Sequence, residues 1–215
     1  MFKDREDAAL QLAKRLKTRR LERPLVLAIP RGGVVVGSVL ARELGAELDV
    51  VLARKLRAPY QPELAIGAVS EDGEVHLNAF ARQIPGVTDE YLHRERDHQL
   101  AELARRRALF RDARPEADAA GRTVIVTDDG VATGSTMLAA LHVLQARAPR
   151  EVIVAIPVAP PDMVTQLGRQ CHHVECLLAP PYFGAVGAFY RDFEQVEDSE
   201  AVRLLREHYA ADRRA

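Results

Sequence analysis

The stretch VIVTDDGVATGSTM, Val124–Met137, decides the fold. It opens on four residues of buried strand, the apolar Val124, Ile125 and Val126 followed by Thr127, the pattern of a strand covered on both faces. Asp128 and Asp129 follow at or just past the strand's carboxyl end. A loop of small and hydroxyl residues comes next, and then the helical pattern of TMLAALHVLQAR (136–147). EVIVAIP (151–157) is the next apolar strand. Strand, loop, helix and strand in that order form a parallel β–α–β unit.

The same unit occurs upstream. PLVLAIP (24–30) is a strand, RGG (31–33) reads as a turn, VVVGSVLARELG as a helix closed by Gly45, and LDVVLA (48–53) as the partner strand. Ahead of it, residues 4–20 have an acidic first turn, a basic last turn and apolar Ala9, Leu12, Ala13 and Leu16. They predict an amphipathic helix aligned with its own dipole. From Arg54 to Val87 the pattern breaks. Pro59, Pro62 and Pro85 interrupt it, and strand-like pieces at Ile66–Val69 and Glu74–Leu77 flank the turn Glu71-Asp72-Gly73, which predicts a hairpin. Thr88–Arg107 reads as a long charged helix and Arg111–Gly121 as a polar connector. PDMVTQLG is a short helix with Pro161 near its start, VECLLA a strand, and Ser199–Tyr209 a terminal helix with Ser199 as its cap. The class is α/β, a parallel sheet flanked by helices, within one domain spanning 1–215.

Composition narrows the function. The chain has 215 residues, 47% of them hydrophobic and 28% charged, with a formal net charge of -1. A surface that tracks a phosphate backbone carries a basic excess, so no nucleic-acid partner is expected. No run has the length of a membrane span or the apolar core of a leader peptide, and the expected place is the cytoplasm. Two cysteines, Cys171 and Cys176, imply no disulfide framework. Lysine occurs only at Lys3, Lys14, Lys17 and Lys55 in a chain rich in arginine. Lys55, far from the other three, is therefore a candidate for a specific role, because the two cations are not equivalent at a phosphate.

The acid pair and its loop carry the chemistry. In open parallel sheets, ligands sit outside the carboxyl ends of the strands. Backbone N–H groups and a helix N-terminus suit an anion there, with hydroxyls from Thr133, Ser135 and Thr136 and close backbone approach at Gly134. Two carboxylates beside an anion need a different partner, which sugar hydroxyls or a divalent cation supply. Neither the lysine-bearing P-loop nor the G-x-G-x-x-G dinucleotide turn is present. Cys171, His172, His173 and Cys176 do not have the spacing of a zinc site. His76, His93, His98 and His142 stand isolated.

VIVTDDGVATGST resembles the phosphoribosyl-pyrophosphate signature of the type I phosphoribosyltransferases. The resemblance implies that Asp128 and Asp129 hold the ribose hydroxyls, and that Val131, Ala132, Thr133, Gly134, Ser135 and Thr136 hold the 5′-phosphate. Thr127 and Gly130 depart from the bulky apolar residues usual in that signature. Ala132 replaces an aspartate of 6-oxopurine members, which argues against hypoxanthine or guanine as the acceptor. IPRGG (29–33) lies where the family has its diphosphate loop, so Arg31, Gly32 and Gly33 become diphosphate contacts; relatives often carry a non-proline cis peptide there. Arg54 and Lys55 lie where relatives place catalytic cations, and residues 54–87 where they place a mobile loop. RKLRAPYQPELAIGAV (54–69) resembles a little-characterised bacterial group. Residues 179–195 take the place of the hood over the base, with Phe183 the first choice for a stacking ring and Tyr182 the second. Phe189, Tyr190 and Phe193 are assigned to packing, and Asp192 to the base or to a structural cap.

The implied reaction is displacement of pyrophosphate from phosphoribosyl pyrophosphate by a nitrogenous base or amine. Magnesium, held at Asp128 and Asp129 directly or through water, would act with Arg31, Arg54 and Lys55 on the leaving charge. The resemblance admits a homodimer and leaves the acceptor base unidentified. Two alternatives stay open at this point. One is a non-catalytic regulator that binds phosphoribosyl pyrophosphate or a nucleotide, and the other is a metal-dependent hydrolase built on the two aspartates.

Overall fold

The structure, a computed structural model, describes residues 1–214, apart from the side chain of Glu63; the last residue of the expected domain, Ala215, lies outside the described residues. A five-stranded parallel sheet forms the centre, built from β1 (Leu25–Ala28), β2 (Glu47–Val50), β6 (Thr123–Thr127), β7 (Glu151–Val158) and β8 (His173–Leu178), in the order β2-β1-β6-β7-β8. The strands read as unbroken apolar runs because both faces are covered. Val26, Ala28, Leu48, Ile125 and Ile153 point to one cluster, while Leu25, Leu27, Val124, Val126 and Val154 point to the other. Helices α1 (Arg5–Leu16), α2 (Gly32–Leu44) and α6 (Asp198–Asp212) pack on the first face, and α4 (Ser135–Gln145) and α5 (Pro161–Gly168) on the second. No helix among the described residues is long and apolar enough to cross a membrane.

Residues 54–87, expected as a mobile loop with a hairpin, are more regular than that. β3 (Ala53–Ala58), β4 (Gln61–Ser70) and β5 (Val75–Leu77) form an antiparallel sheet in that order. The expected turn at 71–73 joins β4 to β5, with Gly73 at a φ of 92°. Arg54 and Lys55 stand on β3 and pair with Val69 and Ala68. The second sheet packs on α4 through Ala53, Ala68, Ala139 and Val143, a seam of small side chains that lets strand and helix approach closely.

Several boundaries differ from the sequence reading, among them the end of α1 at Leu16 rather than residue 20. RGG is not a free turn, since α2 begins at Gly32. β2 ends at Val50, so Val51 and Leu52 lead into the second sheet. The charged helix α3 runs from Asp89 to Ala113, taking in the start of the expected connector. Its buried positions Leu92, Glu95, Gln99, Leu103 and Phe110 continue the helical period past Arg107. Last, α6 starts one residue before Ser199, after Glu197, and no side chain caps it.

The far end of α3 is fixed by ions rather than by apolar burial alone. Arg111 donates to Asp49 (2.9 Å) and to Glu71 (2.6 and 2.8 Å), whose side chains are 0% and 3% exposed. Arg114 pairs with Glu47 (2.7 Å) and also reaches the carbonyl of Leu48. Arginine suits these places because its planar fork serves two carboxylates at once.

Candidate active site

β1 and β6 are neighbours, with Ala28 opposite Thr127. The chain leaves β1 toward β2 on one side and β6 toward β7 on the other, so the crevice at the reversal of strand order lies between their carboxyl ends. Ile29 N–H donates to the Thr127 carbonyl (2.9 Å), which carries the pairing one residue past the strand. The peptide bond between Pro30 and Arg31 is cis, one bond ahead of Arg31–Gly32. Gly32 and Gly33 then form the first turn of α2, where backbone N–H groups have no partner within the helix and could serve an anion.

These two glycines are required by the acids beside them. A β-carbon at Gly32 would overlap the Asp129 carboxylate, and one at Gly33 would stand 3.0 Å from the Asp128 Cα. Asp128 Oδ1 accepts the Asp129 N–H (2.8 Å). Burial and the neighbouring Asp129 charge push the Asp128 carboxyl well above the usual range.

Asp129 is held by residues that the sequence did not single out for the site. Arg5 Nε, on α1, donates to Asp129 Oδ2 (2.8 Å), and the two side chains are 11% and 15% exposed. The same guanidinium donates to the Glu194 carbonyl (2.8 Å) and lies 3.8 Å from the centre of the Phe193 ring. Tyr190 Oη donates to the Asp129 carbonyl (2.6 Å), and its ring stacks on Phe193 at 4.9 Å. Arg5 lies in the acidic first turn of an amphipathic helix, where a cation reads as an ordinary surface residue; no local signal marks it.

The loop after the acids approaches through Gly134, whose φ of 71° favours glycine and where a β-carbon would overlap Met163. Ser135 opens α4, and its hydroxyl lies 3.5 Å from that of Thr133. Ala132, Thr133 and Thr136 are exposed, as a site open to solvent requires. Val131 is buried and its N–H donates to the Val158 carbonyl (2.9 Å), so it anchors the loop. Gly130, unusual beside the signature, is accounted for by Val186, which a β-carbon there would overlap. Thr127 donates its hydroxyl to the Ala155 carbonyl (2.7 Å), which satisfies a buried polar side chain.

Beside this crevice lies a cavity of about 200 Å³, lined in part by Pro30, Arg54, Lys55, Arg106, Ser135 and Thr136. Arg57 also borders it, and among the described residues no aspartate or glutamate lines it. Arg54 donates to Gln99 (2.8 Å), while Arg57 is neutralised by Glu95 (2.8 and 3.1 Å). Arg31, expected with Arg54 and Lys55, stands at the loop with its guanidinium 3.9 Å from Glu197. A second cavity of about 620 Å³ shares Lys55 and Ser135 with the first and continues past Thr133, Phe80 and His142.

Residues 179–195 hold one short 3-10 helix, Val186–Phe189. Phe183 packs on Phe189 with ring centres 5.2 Å apart, whereas Tyr182 is 92% exposed. Phe2 bridges to Tyr190, and Asp192 N–H donates to the Lys3 carbonyl (2.9 Å), so the segment is laced to the N-terminal residues. Cys171 donates to the carbonyls of Leu167 and His173, and burial pushes both cysteine thiols up. Among the described residues, no three His, Cys, Asp or Glu side chains converge to hold a metal ion.

A family model described as phosphoribosyl transferase domain matches residues 3–165. Two Mycobacterium tuberculosis proteins, from strains H37Rv and CDC 1551 / Oshkosh, are each 41% identical over 205 residues, which is 95% of this chain. The first carries the name "Putative phosphoribosyl transferase Rv0571c". The chain spans about half the length of these relatives, 46% of each. The crystal structure of TT1426 from Thermus thermophilus superposes with a TM-score of 0.92 at 47% identity, covering 96% of this chain and 98% of that one. With the family match running from α1 through both site loops, the chain belongs to the phosphoribosyl transferase domain family.

Proposed function

We propose that the protein transfers a 5-phosphoribosyl group from phosphoribosyl pyrophosphate to a nitrogen nucleophile. One observation carries this reading: the acid pair Asp128–Asp129 packs against the Gly32–Gly33 turn, while a cavity lined by Arg54 and Lys55 opens alongside. Ribose hydroxyls donate to carboxylates, and phosphates take cations and backbone N–H groups. A ligand with both kinds of group matches the two halves of the site.

In the reaction, the bond from ribose C1 to the diphosphate oxygen breaks, with its electron pair leaving on the diphosphate. The acceptor nitrogen forms the new bond to C1 and gives up a proton to solvent. Charge builds on the departing group, so preorganised cations lower the barrier. Arg54 is preorganised by Gln99, which turns its guanidinium without cancelling its charge. The acids are too few for a resident metal site, but they suit a magnesium ion that arrives with the diphosphate, which supplies most of its own oxygen ligands. When bound, that ion would neutralise leaving charge, with Asp128 and Asp129 as the carboxylates available to it directly or through water. Thr133, Ser135 and Thr136 would hold the 5′-phosphate, and Phe183 the acceptor ring. We place the reaction in the cytoplasm.

The test is magnesium-dependent release of pyrophosphate from phosphoribosyl pyrophosphate in the presence of purine, pyrimidine, nicotinate-like and amine acceptors. Pyrophosphate release with at least one acceptor is the expected result. Binding without turnover for every acceptor would point to a regulator, and release of phosphate instead would point to a hydrolase.

A further inference from the structure

We propose that Arg106, on α3, is a third cation for the departing diphosphate, acting beside Arg54 and Lys55 in the cavity next to the Gly32–Gly33 turn. The inference rests on the phosphoribosyl-transfer reading and adds to it a residue that lies outside both site loops.

The helical period singles out this residue. Glu95, Gln99, Leu103, Arg106 and Phe110 recur at spacings of three and four, so they form one stripe along α3. Four of the five are buried and turned to the protein: Glu95 is 7% exposed, Gln99 2%, Leu103 3% and Phe110 0%. Arg106 is the fifth, half-buried, and it lines the cavity together with Gln99 and Leu103. A cation on the inward stripe of a helix is costly unless an anion meets it.

The other polar members of the stripe have partners. Glu95 takes Arg57, and Gln99 takes Arg54. Arg106 makes no ion pair or hydrogen bond among the described residues. Asp198, the acid whose field favours its charge, has its Oδ2 paired with Arg105 at 2.6 Å, and its buried Oδ1 makes no hydrogen bond, to Arg106 or to any other described residue. Burial pulls the Arg106 guanidinium down, Asp198 favours its charge, and the cations Arg105, Arg31 and Arg54 disfavour it. Arg54 from β3 and Arg106 from α3 therefore share one hollow, while Arg31 adds to the positive field on Arg106 from the β1–α2 loop. Arg54 and Arg106 repel one another there, and a polyanion entering the hollow would relieve that repulsion. A diphosphate has the charge and the size for it, while a single phosphate would leave part of the repulsion uncompensated.

The test uses the full chain, with magnesium pyrophosphate and ribose 5-phosphate as separate calorimetric probes. For Arg106→Ala we expect pyrophosphate affinity to fall by about 10–100-fold, the range for losing a hydrogen bond to a charged group. Ribose 5-phosphate affinity should be unchanged, and Arg106→Lys should recover part of the loss. Pyrophosphate binding equal to that of the parent in Arg106→Ala would overturn the inference. So would an equal loss for both probes with a lowered melting temperature, which is the mark of a structural role. A parent that binds ribose 5-phosphate but not pyrophosphate would sink the Arg106 inference alone. A parent that binds neither would remove the reading on which it rests.

Discussion

The Asp129 carboxylate fills the space that a β-carbon on Gly32 would take. The acid pair and the turn after β1 are therefore one interlocked unit, and neither can change shape alone. Gly32→Ala should displace the carboxylate and lower stability by about 1–3 kcal/mol, the usual cost of overpacking. Ligand affinity should fall with it. Denaturant unfolding and phosphoribosyl pyrophosphate binding measure the two effects, and Gly33→Ala should be milder, since its nearest neighbours stand at about 3.0 Å.

Asp128→Asn and Asp129→Asn separate stability from function. Burial and like charge hold the Asp128 carboxyl above its usual range, so its folded form favours the proton. Such a group destabilises the fold progressively as pH rises from the ordinary carboxylate range through the raised value. Asp128→Asn should thus melt higher than the parent at neutral pH while losing phosphoribosyl pyrophosphate binding. Thermal melts with and without ligand would show both, and retained binding in the two variants would sink the proposed function.

Arg5→Gln should weaken the same site from a distance. It removes the cation from a largely buried pair, leaves the Asp129 carboxylate facing Gly32 unneutralised, and frees the Phe193 face. A cost of about 3 kcal/mol is expected, the low end for breaking a buried pair. Arg5→Lys, which keeps the charge but loses the planar stack, should fall between the two in both melting temperature and ligand affinity.

Arg111→Met should be the most damaging change outside the site. It strands Asp49 and Glu71, both essentially buried, at a cost of about 3–5 kcal/mol. The triple variant Arg111→Met/Asp49→Asn/Glu71→Gln should recover much of this, because the stranded charges are then gone. Urea midpoints for the parent, single and triple variants provide the check.

The anchoring of α3 to β3 should loosen in acid. Burial alone would push the Glu95 carboxyl up, but hydrogen bonds from the Arg57 side chain and backbone and from Gln99 outweigh it and hold it below the usual range. A depressed carboxylate contributes stability that is fully present above the ordinary glutamate value of about 4.3 and is lost as pH falls through the lower folded value. Hydrogen exchange of α3 amides should therefore rise below about pH 4. Glu95→Gln should show a flatter acid limb from a lower starting stability.

The architecture was legible because burial on both faces leaves a local trace. LVLA, the VIV of β6 and the VIVAIPV of β7 are apolar without interruption, as expected of parallel strands with helices on both sides. The acid pair and the Thr133–Thr136 loop were legible for the same reason: they stand at the end of a recognisable strand and before a recognisable helix. The second sheet was only partly legible. Prolines and glycines mark its turns, but the pairing of Arg54 with Val69 and of Lys55 with Ala68 is a contact between strands, and sequence alone does not display it.

The parallel sheet and the loop at the end of β6 could be read from the sequence, because each depends on residues close together in the chain. Tertiary structure alone decided that Arg5 clamps Asp129, that Gly32 yields its space to that carboxylate, and that Arg106 turns toward the cations of β3. The physical reason is the range of the interactions. Hydrophobic period and turn chemistry act within a few residues. An ion pair or a missing β-carbon takes its meaning from whatever the fold brings to within a few ångströms, and two distant segments of chain carry no local record of that meeting.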